Sequence, residues 1–239
     1  MSTESESHDG FGPVAIEALS RLQKTAGRRL HEAWTGIPHV THHEDADITD
    51  IESERRLANS KPSAEKITLL AYATHAVARC IGEFPRFRSS LDPSGDKLIV
   101  KNYVHLGIAI EAPVGLVVGV IKHSDLLSIG ALSGSLNDLA IRGRAGRLLP
   151  TEMEGSCFTI SSLGALGGTG FTPIINPPNV AILGLGAARL KPSCHNDAIV
   201  ARLILPLSLS YDHRVIDGGA AARFCRRLRE ILSVAPAQG

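Results

Sequence analysis

The residues with the clearest chemical potential lie near the carboxyl end of the chain. His213 precedes Asp217 by four residues, and Gly218 follows at a position where a sharp turn needs backbone freedom. Residues 203–209 form an apolar run that predicts a buried strand ending just before this turn. A histidine held at the tip of a strand suits a general base, because its imidazole takes a proton near neutral pH and the strand limits its movement. Spacing alone nevertheless favours a hydrogen-bonded core histidine.

The helices and strands that would position this turn follow each other without a regular alternation. Apolar periodicity predicts helices over residues 20–36, 50–59, 63–84, 128–141 and 221–232. Strand patterns cover residues 39–47, 98–100, 104–111, 116–121, 157–162, 180–185 and 199–210. This mixture predicts one α+β domain over residues 13–239, built around a mixed β-sheet packed by helices. Residues 1–12 are mostly polar and predict a flexible amino-terminal tail.

Composition limits the possible partners. The 239 residues are 44% hydrophobic and 21% charged, which allows a sizeable buried core. A net charge of +1 gives no sign of a nucleic acid or a membrane surface as partner. The four cysteines lack a Cys-x-x-Cys spacing, so buried free thiols are expected for the three in apolar patterns. Without a signal-peptide pattern or an apolar run long enough for a bilayer, the cytoplasm is the expected location.

A family resemblance runs through most of the sequence. The residues Asp-His-Arg-Val-Ile-Asp-Gly at 212–218 resemble the active-site signature of the dihydrolipoamide acyltransferases. These enzymes form the cores of 2-oxoacid dehydrogenase complexes and are related to chloramphenicol acetyltransferase. Similar segments follow the family's order between residues 16 and 232: Ser-Arg-Leu-Gln-Lys at 20–24, Ile-Pro-His-Val-Thr at 37–41, Asp-Ile-Thr at 47–49, Pro-Arg-Phe at 85–87, Gly-Leu-Val-Val at 115–118, Cys-Phe-Thr-Ile-Ser-Ser at 157–162, Asn-Pro-Pro at 176–178 and Val-Ala-Ile-Leu-Gly at 180–184. The resemblance implies a chloramphenicol-acetyltransferase-like two-layer fold and outweighs the core interpretation of His213.

The resemblance also implies roles for individual residues in thiol–thioester exchange between coenzyme A and a dihydrolipoyl group. His213 matches the general base that takes the thiol proton, and Ser161 matches the serine that donates to the tetrahedral oxyanion. Ser162, its neighbour, is the alternative match. Asp217 matches a residue that bonds an arginine and fixes the loop of His213. By analogy with the family, the candidate arginines are Arg21, Arg28 and Arg29.

The activity implied by the resemblance is acyl transfer. Acetyl is the expected group, because residues 37–49 are similar to the pyruvate-type enzymes, while branched-chain and succinyl groups stay open. Acetyl-coenzyme A is then a substrate, the lipoyl group is supplied by another protein domain, and no metal is expected. The family implies a homotrimer with active sites between subunits and contact with other components of the complex. Two alternatives stand beside this activity: a coenzyme A-dependent acetyltransferase of a small alcohol or amine, and a non-catalytic core scaffold.

Two other segments look functional, but the sequence favours a structural interpretation of each. His42, His43, Glu44 and Asp45 look like metal ligands, but neighbouring residues of a strand face opposite ways, which favours a solvated strand. The glycine-rich segment 164–170 fits neither a P-loop nor a dinucleotide-binding loop and predicts a turn between strands. A serine hydrolase is disfavoured, because the sequence has no Gly-x-Ser-x-Gly elbow.

Departures from the family bear on assembly and substrate fit. The family's amino-terminal lipoyl and subunit-binding modules are missing, which fits either a truncated chain or a natural stand-alone protein. Gly119 stands where a proline usually follows Gly-Leu-x-Val, and Gly143 and Gly146 replace residues of a usually charged helix end. Residues 233–239 have few apolar side chains for docking, so a free trimer is expected rather than the cubic assembly of pyruvate-type relatives.

Overall fold

The computed structural model describes residues 12, 14–61, 66–113, 115–195 and 198–234. The α-helices within these residues are α1 (Arg21–Gly36), α2 (Thr49–Asn59), α3 (Leu69–Glu83), α4 (Ile129–Arg144) and α5 (Gly218–Leu232). The strands are β1 (His39–Asp47), β2 (Ser89–Leu91), β3 (Leu98–Val100), β4 (Leu106–Ala112), β5 (Gly115–Ile121), β6 (Phe158–Ser162), β7 (Ala181–Leu185), β8 (Arg189–His195) and β9 (Ala198–Asp212). Short 3₁₀ helices cover Pro85–Arg88, Ser124–Leu126 and Pro150–Glu152.

One mixed sheet forms the centre of the fold. Its strand order is β1-β9-β7-β6-β4-β5, and β8 pairs with the first part of β9, while β2 and β3 form a separate hairpin. β4, β6 and β7 are parallel to one another, whereas β9 is antiparallel to β7. Consequently β9 ends at the end of the sheet where β6 and β7 begin. The α+β fold class predicted from the sequence is confirmed.

The two faces of this sheet differ in chemistry. Along β9, the side chains that face the helices are apolar or aromatic and belong to the buried core: Leu205, Leu207, Leu209 and Tyr211. The alternate side chains on the opposite face are polar and also buried: Ser208, Ser210 and Asp212. From β1, Thr41 Oγ1 lies 2.8 Å from Ser210 Oγ and His43 Nδ1 lies 3.0 Å from Ser208 Oγ. The second face therefore has a hydrogen-bonded polar row that leads to the predicted active-site turn.

Polar side chains determine where two of the predicted helices begin. Ser20 Oγ accepts the N–H of Gln23, and Gln23 Oε1 accepts the N–H of Ser20, so the expected capping box starts α1. The helix predicted from Ser63 begins instead at Leu69, because Thr68 Oγ1 accepts the N–H of Ala71 and caps α3 there. Ser63 itself lies outside the described residues.

A hairpin that the sequence analysis did not predict extends the sheet. β8 and β9 pair from Arg189 opposite Ile204 to His195 opposite Ala198. The pattern was hidden because a proline within β8 argues against a strand, although it is tolerated at a sheet edge. Arg202 Nε donates to Asp47 Oδ2 at 2.6 Å and ties the hairpin to β1.

Two of the unusual glycines lie where α4 packs on the sheet. A Cβ at Gly119 would lie 3.0 Å from Leu139 Cδ2, and a Cβ at Gly143 would lie 3.1 Å from Ile110 Cδ1. Without these Cβ atoms, α4 packs closely on β4 and β5. Gly146 has open space around it but a φ of +65°, so glycine there serves the turn after α4. These departures from the family therefore concern the packing of α4, not the turn of His213.

The cysteines follow their predicted burial. Cys80, Cys157 and Cys225 are buried, whereas Cys194 is exposed. Burial raises the pKa of the Cys225 thiol to about 12, so this thiol stays neutral at physiological pH. Within the part of the chain that the structure describes, no helix is both long and apolar enough to cross a bilayer.

Candidate active site

His213 directly follows the last residue of β9 and lies on the outside of a tight turn. Its backbone N–H donates to the carbonyl of Pro38 over 3.1 Å. The N–H groups of Val215 and Ile216 both donate to the carbonyl of Asp212 at 3.0 Å, which closes the turn. Val215 and Ile216 are buried, while His213 is exposed. The turn thus anchors the backbone and presents the imidazole outward.

The residues on either side of His213 form an ion pair. The side chain of Asp212 is buried. Its Oδ2 accepts a hydrogen bond from Nη2 of Arg214 at 2.6 Å, and its Oδ1 accepts one from Nε of Arg214 at 3.0 Å. The side-chain hydrogen bond to Asp212 raises the pKa of Arg214, whose guanidinium is charged at all physiological pH values in any case. Sequence reasoning missed this pair, although both residues lie in the signature motif, because only the sharp turn brings residues two positions apart face to face.

Asp217 caps α5 and forms no bond to the expected arginines. Its Oδ1 accepts the N–H of Ala220 at 2.7 Å, so α5 begins at Gly218, three residues before its predicted start. This backbone hydrogen bond lowers the pKa of the Asp217 carboxyl. Among the described residues, no ion pair joins Asp217 to an arginine, which corrects the expectation for Arg21, Arg28 and Arg29 within one chain. The partner of Asp217 is the start of its own helix.

A different arginine holds the loop of His213. Arg86, in the 3₁₀ helix before β2, donates from Nη1 to the carbonyl of Val215 at 3.1 Å. Arg86 and Arg214 also border a small open cavity beside the turn, together with the basic side chain of Lys97. The segment Pro-Arg-Phe, which contributed to the family resemblance, therefore supports the turn of His213 directly.

Ser161 lies near the end of β6, on the polar face of the sheet. Phe158 and Ile160 belong to the core that faces the helices, so the alternation of the strand points Ser161 the other way. Ser161 is half-buried and pairs with Gly184 of β7. Ser162 is exposed and lies on the opposite face from Ser161. The structure thus separates the two candidate serines by face.

One chain keeps Ser161 and His213 apart. Ser161 pairs with Gly184, and Gly184 pairs with Ser208 of β9, so these residues form one row across the sheet. Asp212 at the end of β9 lies four residues beyond Ser208, which is about 13 Å along the strand. Two strand spacings add about 10 Å across the sheet. The hydroxyl of Ser161 and the imidazole of His213 therefore cannot act on the same atom within a single chain.

The chain between β6 and β7 covers the polar face next to Ser161. The ring of Phe171 lies on Gly184, where a Cβ would be only 2.6 Å from Phe171 Cζ. The N–H of Phe171 also points at Ser208 Oγ, 3.4 Å away. The glycine-rich segment 164–170 thus connects two strands, as predicted, and leads into the residue that covers the row of Ser161.

The metal-like residues of β1 have partners within the sheet and its helices. His43 Nδ1 contacts Ser208 Oγ on the polar face, whereas Glu44 Oε1 accepts from Arg229 Nη1 of α5 at 3.1 Å on the other face. In the described ranges, no group of three or more potential metal-binding side chains comes together. The alternation of β1 therefore prevents its histidine and acidic residues from converging on one ion.

A family model decides the wider relationship of the chain. Residues 12–238 match the 2-oxoacid dehydrogenases acyltransferase (catalytic domain). The chain belongs to this family. This acyltransferase domain is 48% identical over 225 residues to the dihydrolipoyllysine-residue acetyltransferase component of the pyruvate dehydrogenase complex from Pseudomonas aeruginosa, covering 93% of this chain and 41% of that protein. It is 46% identical to the corresponding component from Azotobacter vinelandii, covering 93% of this chain and 35% of that protein. The chain therefore spans less than half the length of these relatives.

Solved structures agree with this assignment. Dihydrolipoamide acetyltransferase from Azotobacter vinelandii superposes with a TM-score of 0.91 at 44% identity, over 94% of this chain and 93% of that one. The cubic core of a pyruvate dehydrogenase multienzyme complex gives a TM-score of 0.91 at 45% identity, with the same coverage of both chains. Chloramphenicol acetyltransferase gives 0.59 at 13% identity, over 91% of this chain and 100% of that one. The acyltransferase domain thus shares the chloramphenicol-acetyltransferase fold that the resemblance implied.

Proposed function

We propose that this acyltransferase domain moves an acetyl group between dihydrolipoamide and coenzyme A in a site shared by two copies of the chain. His213 is the general base and Ser161 is the oxyanion donor. The observation that carries this proposal is the separation of these two side chains. The exposed His213 follows the end of β9, whereas Ser161 lies toward the opposite end of the sheet. Thioester exchange needs a proton acceptor and an oxyanion donor together, so each chain supplies one half of a site.

The reaction follows from the chemistry of these two side chains. A thiol with a pKa of about 8.5 is only a few per cent thiolate at neutral pH. The His213 imidazole therefore takes the proton of the dihydrolipoamide thiol as its sulfur attacks the acetyl carbonyl carbon of acetyl-coenzyme A. The Ser161 hydroxyl donates to the oxyanion of the tetrahedral intermediate, a contribution of about 10²–10³ in rate. When the intermediate collapses, the bond to the sulfur of coenzyme A breaks. The sulfur of coenzyme A then takes the proton from the imidazolium of His213.

The Azotobacter vinelandii relative supports these residue assignments. Its crystallographic and enzymatic study concerned the roles of a serine, a histidine and an asparagine in the catalytic mechanism. That serine precedes the histidine by 52 residues and the asparagine follows by four, the separations of Ser161, His213 and Asp217 here. The spacing favours Ser161 over Ser162. It also places an asparagine where this chain has Asp217, and both residue types cap helices well.

The substrates and partners follow from the same proposal. The relatives are acetyltransferase components of pyruvate dehydrogenase complexes, which supports acetyl over branched-chain and succinyl groups. Coenzyme A acts as a substrate, and a lipoyl group arrives on a separate protein domain. The proposal uses no metal, because the thiol proton and the oxyanion both have protein partners. We place the chain in a cytoplasmic homotrimer that works with the other components of the complex.

An acceptor panel tests the activity. Acetyl-coenzyme A is mixed with the protein and with free dihydrolipoamide, a dihydrolipoyl protein domain or a set of small alcohols and amines, and release of coenzyme A is followed. The proposal expects release with the two dihydrolipoyl acceptors. Release with alcohols or amines alone would identify an enzyme that modifies small molecules. No release with any acceptor would identify a scaffold, and either result would contradict the proposal.

The His213→Ala variant tests the mechanism. Loss of the general base should lower kcat by at least about 10² and leave the KM for coenzyme A nearly unchanged, because the imidazole acts in the transition state. Light scattering should show that the variant assembles like the wild type. Near-wild-type turnover in a correctly assembled variant would exclude His213 as the base.

A further inference from the structure

We infer that Asp212 and Arg214 are positioning residues for His213: their ion pair fixes the peptide group that follows the histidine and so directs the imidazole. The inference rests on the proposed function, because it concerns how the general base of that reaction is held. Neither side chain needs to touch a substrate for this role.

The carboxylate of Asp212 makes two kinds of contact at once. Its Oδ1 accepts the backbone N–H of Arg214 at 3.0 Å and the guanidinium Nε at 3.0 Å. Its Oδ2 accepts from Nη2 at 2.6 Å, so the guanidinium is bound at both oxygens. The Asp212 side chain is only 3% exposed, against 46% for Arg214. A buried carboxylate is therefore joined both to the backbone beside His213 and to a cation that reaches the surface.

These contacts complete a fixed frame around the histidine. The peptide group before His213 is held because its N–H donates to the carbonyl of Pro38 at 3.1 Å. The peptide group after His213 is held because its N–H, which belongs to Arg214, donates to Asp212 Oδ1. With both flanking peptide planes set, the direction of the Cα–Cβ bond of His213 is set as well. Only the two side-chain torsions remain for the imidazole to search.

The ion pair adds more than closure of the turn. The N–H groups of Val215 and Ile216 already close it through the backbone carbonyl of Asp212. The carboxylate of Asp212 is a separate attachment, and it is anchored in turn by the guanidinium. Transition-state geometry is sensitive to such support, since a misplacement of about 1 Å costs about 10²-fold in rate. Loss of the cation therefore affects kcat before it affects substrate binding.

The variants Arg214→Ala and Arg214→Lys test the inference, with Arg227→Ala as a matched control. Arg227 forms a comparable bidentate pair with Glu83, with Nε to Oε2 and Nη2 to Oε1 both at 2.8 Å, but joins α5 to α3 away from the turn. Arg214→Ala should lower kcat by about 10–10² with KM values for both substrates within about twofold of wild type. The kcat of Arg214→Lys should lie between those of the wild type and Arg214→Ala, since lysine keeps the charge without the bidentate fork. Millimolar guanidinium ion should restore part of the kcat of Arg214→Ala, while Arg227→Ala keeps the wild-type kcat.

A second readout keeps this test independent of activity. The ¹³Cε1 signal of His213 is assigned by its loss in His213→Ala and is then compared in the wild type and the two Arg214 variants. A single sharp signal in the wild type that broadens or splits in both variants supports positioning, even if no acceptor is acetylated and the proposed function fails. An unchanged signal overturns the inference. So does an Arg214→Ala variant with wild-type kcat, or one with a raised KM and unchanged kcat, which would indicate a binding role. If Arg214→Ala fails to assemble, the same outcomes in Arg214→Lys decide.

Discussion

At the scale of single residues, the proposed site depends on the contacts around each side chain: Asp212 binds the guanidinium of Arg214, and Asp217 caps α5. His213 and Ser161 stand out because the motifs around them carry a family resemblance. The contacts of Asp217 and Arg214 were not predictable, because they depend on where the turn after β9 bends and where α5 starts. A motif therefore identified the residue types, and only the backbone path identified what each side chain touches.

Substitution of the two adjacent serines tests which one serves the oxyanion. Ser161→Ala should lower kcat by about 10²–10³, as loss of one oxyanion donor does. Ser162→Ala is the matched control and should keep the wild-type kcat, because its side chain lies on the other face of β6. Steady-state kinetics of both variants, with their assembly checked, gives the answer. A large loss in Ser162→Ala with none in Ser161→Ala would shift the assignment by one residue.

Asp217 should behave as a helix cap that titrates. Asp217→Asn keeps the capping oxygen, so at neutral pH its melting temperature should match the wild type, whereas Asp217→Ala should melt a few degrees lower. The helix contact lowers the pKa of Asp217 below its ordinary 3.8. The stabilisation by the charged form is therefore complete above pH 3.8 and is lost as the pH falls through the lowered pKa. Thermal melts of the three proteins between pH 7 and acid check this, and a strongly destabilised Asp217→Asn at pH 7 would reveal a charge partner instead.

At the scale of elements, periodicity predicted the strands and helices that pack on the core. β1 was predicted with its observed bounds, His39–Asp47, although Val40 and Ala46 are the only apolar residues in this strand. The start of α3 was placed too early because Thr68, which caps it, lies inside the apolar pattern. β8 was missed because its proline and charges read as a loop. Local patterns thus predict elements that bury one face, and they fail where a cap or an edge position decides.

Gly184→Ala tests whether the cover over the row of Ser161 depends on a missing Cβ. The new methyl group would meet the rigid ring of Phe171 at 2.6 Å, so the ring and its segment must move. Overpacking of this kind costs about 1–3 kcal/mol in stability, and kcat should fall as well. Gly27→Ala is the control: nothing lies within 4 Å of its Cβ, and alanine in a helix is favoured by about 1 kcal/mol. Chemical denaturation and kinetics measure both effects, and a Gly184→Ala protein as stable and active as the wild type would show that the cover is not needed.

At the scale of the whole molecule, the proposed function requires more than one chain. His213 lies at one end of the sheet, and Ser161 is too far away for both side chains to contact the same substrate atom. Large apolar side chains are also exposed on one chain, with Trp34 at 52%, Leu190 at 70% and Ile199 at 81%. Burial of such side chains against neighbouring copies would favour assembly through the hydrophobic effect. The expectation of a free trimer rather than a cube stays a prediction, since residues 235–239 lie outside the described part of the chain.

Complementation between two inactive variants tests the shared active site most directly. Ser161→Ala and His213→Ala proteins are unfolded together in equal amounts, refolded into mixed assemblies and assayed for acetyl transfer, with each variant refolded alone as control. If each site takes its histidine from one chain and its serine from the next, random mixing should restore about a quarter of the wild-type activity. Activity no greater than that of the separately refolded variants, in assemblies shown to be mixed, would contradict the account, because His213 and Ser161 would then not act together in a site shared by two chains.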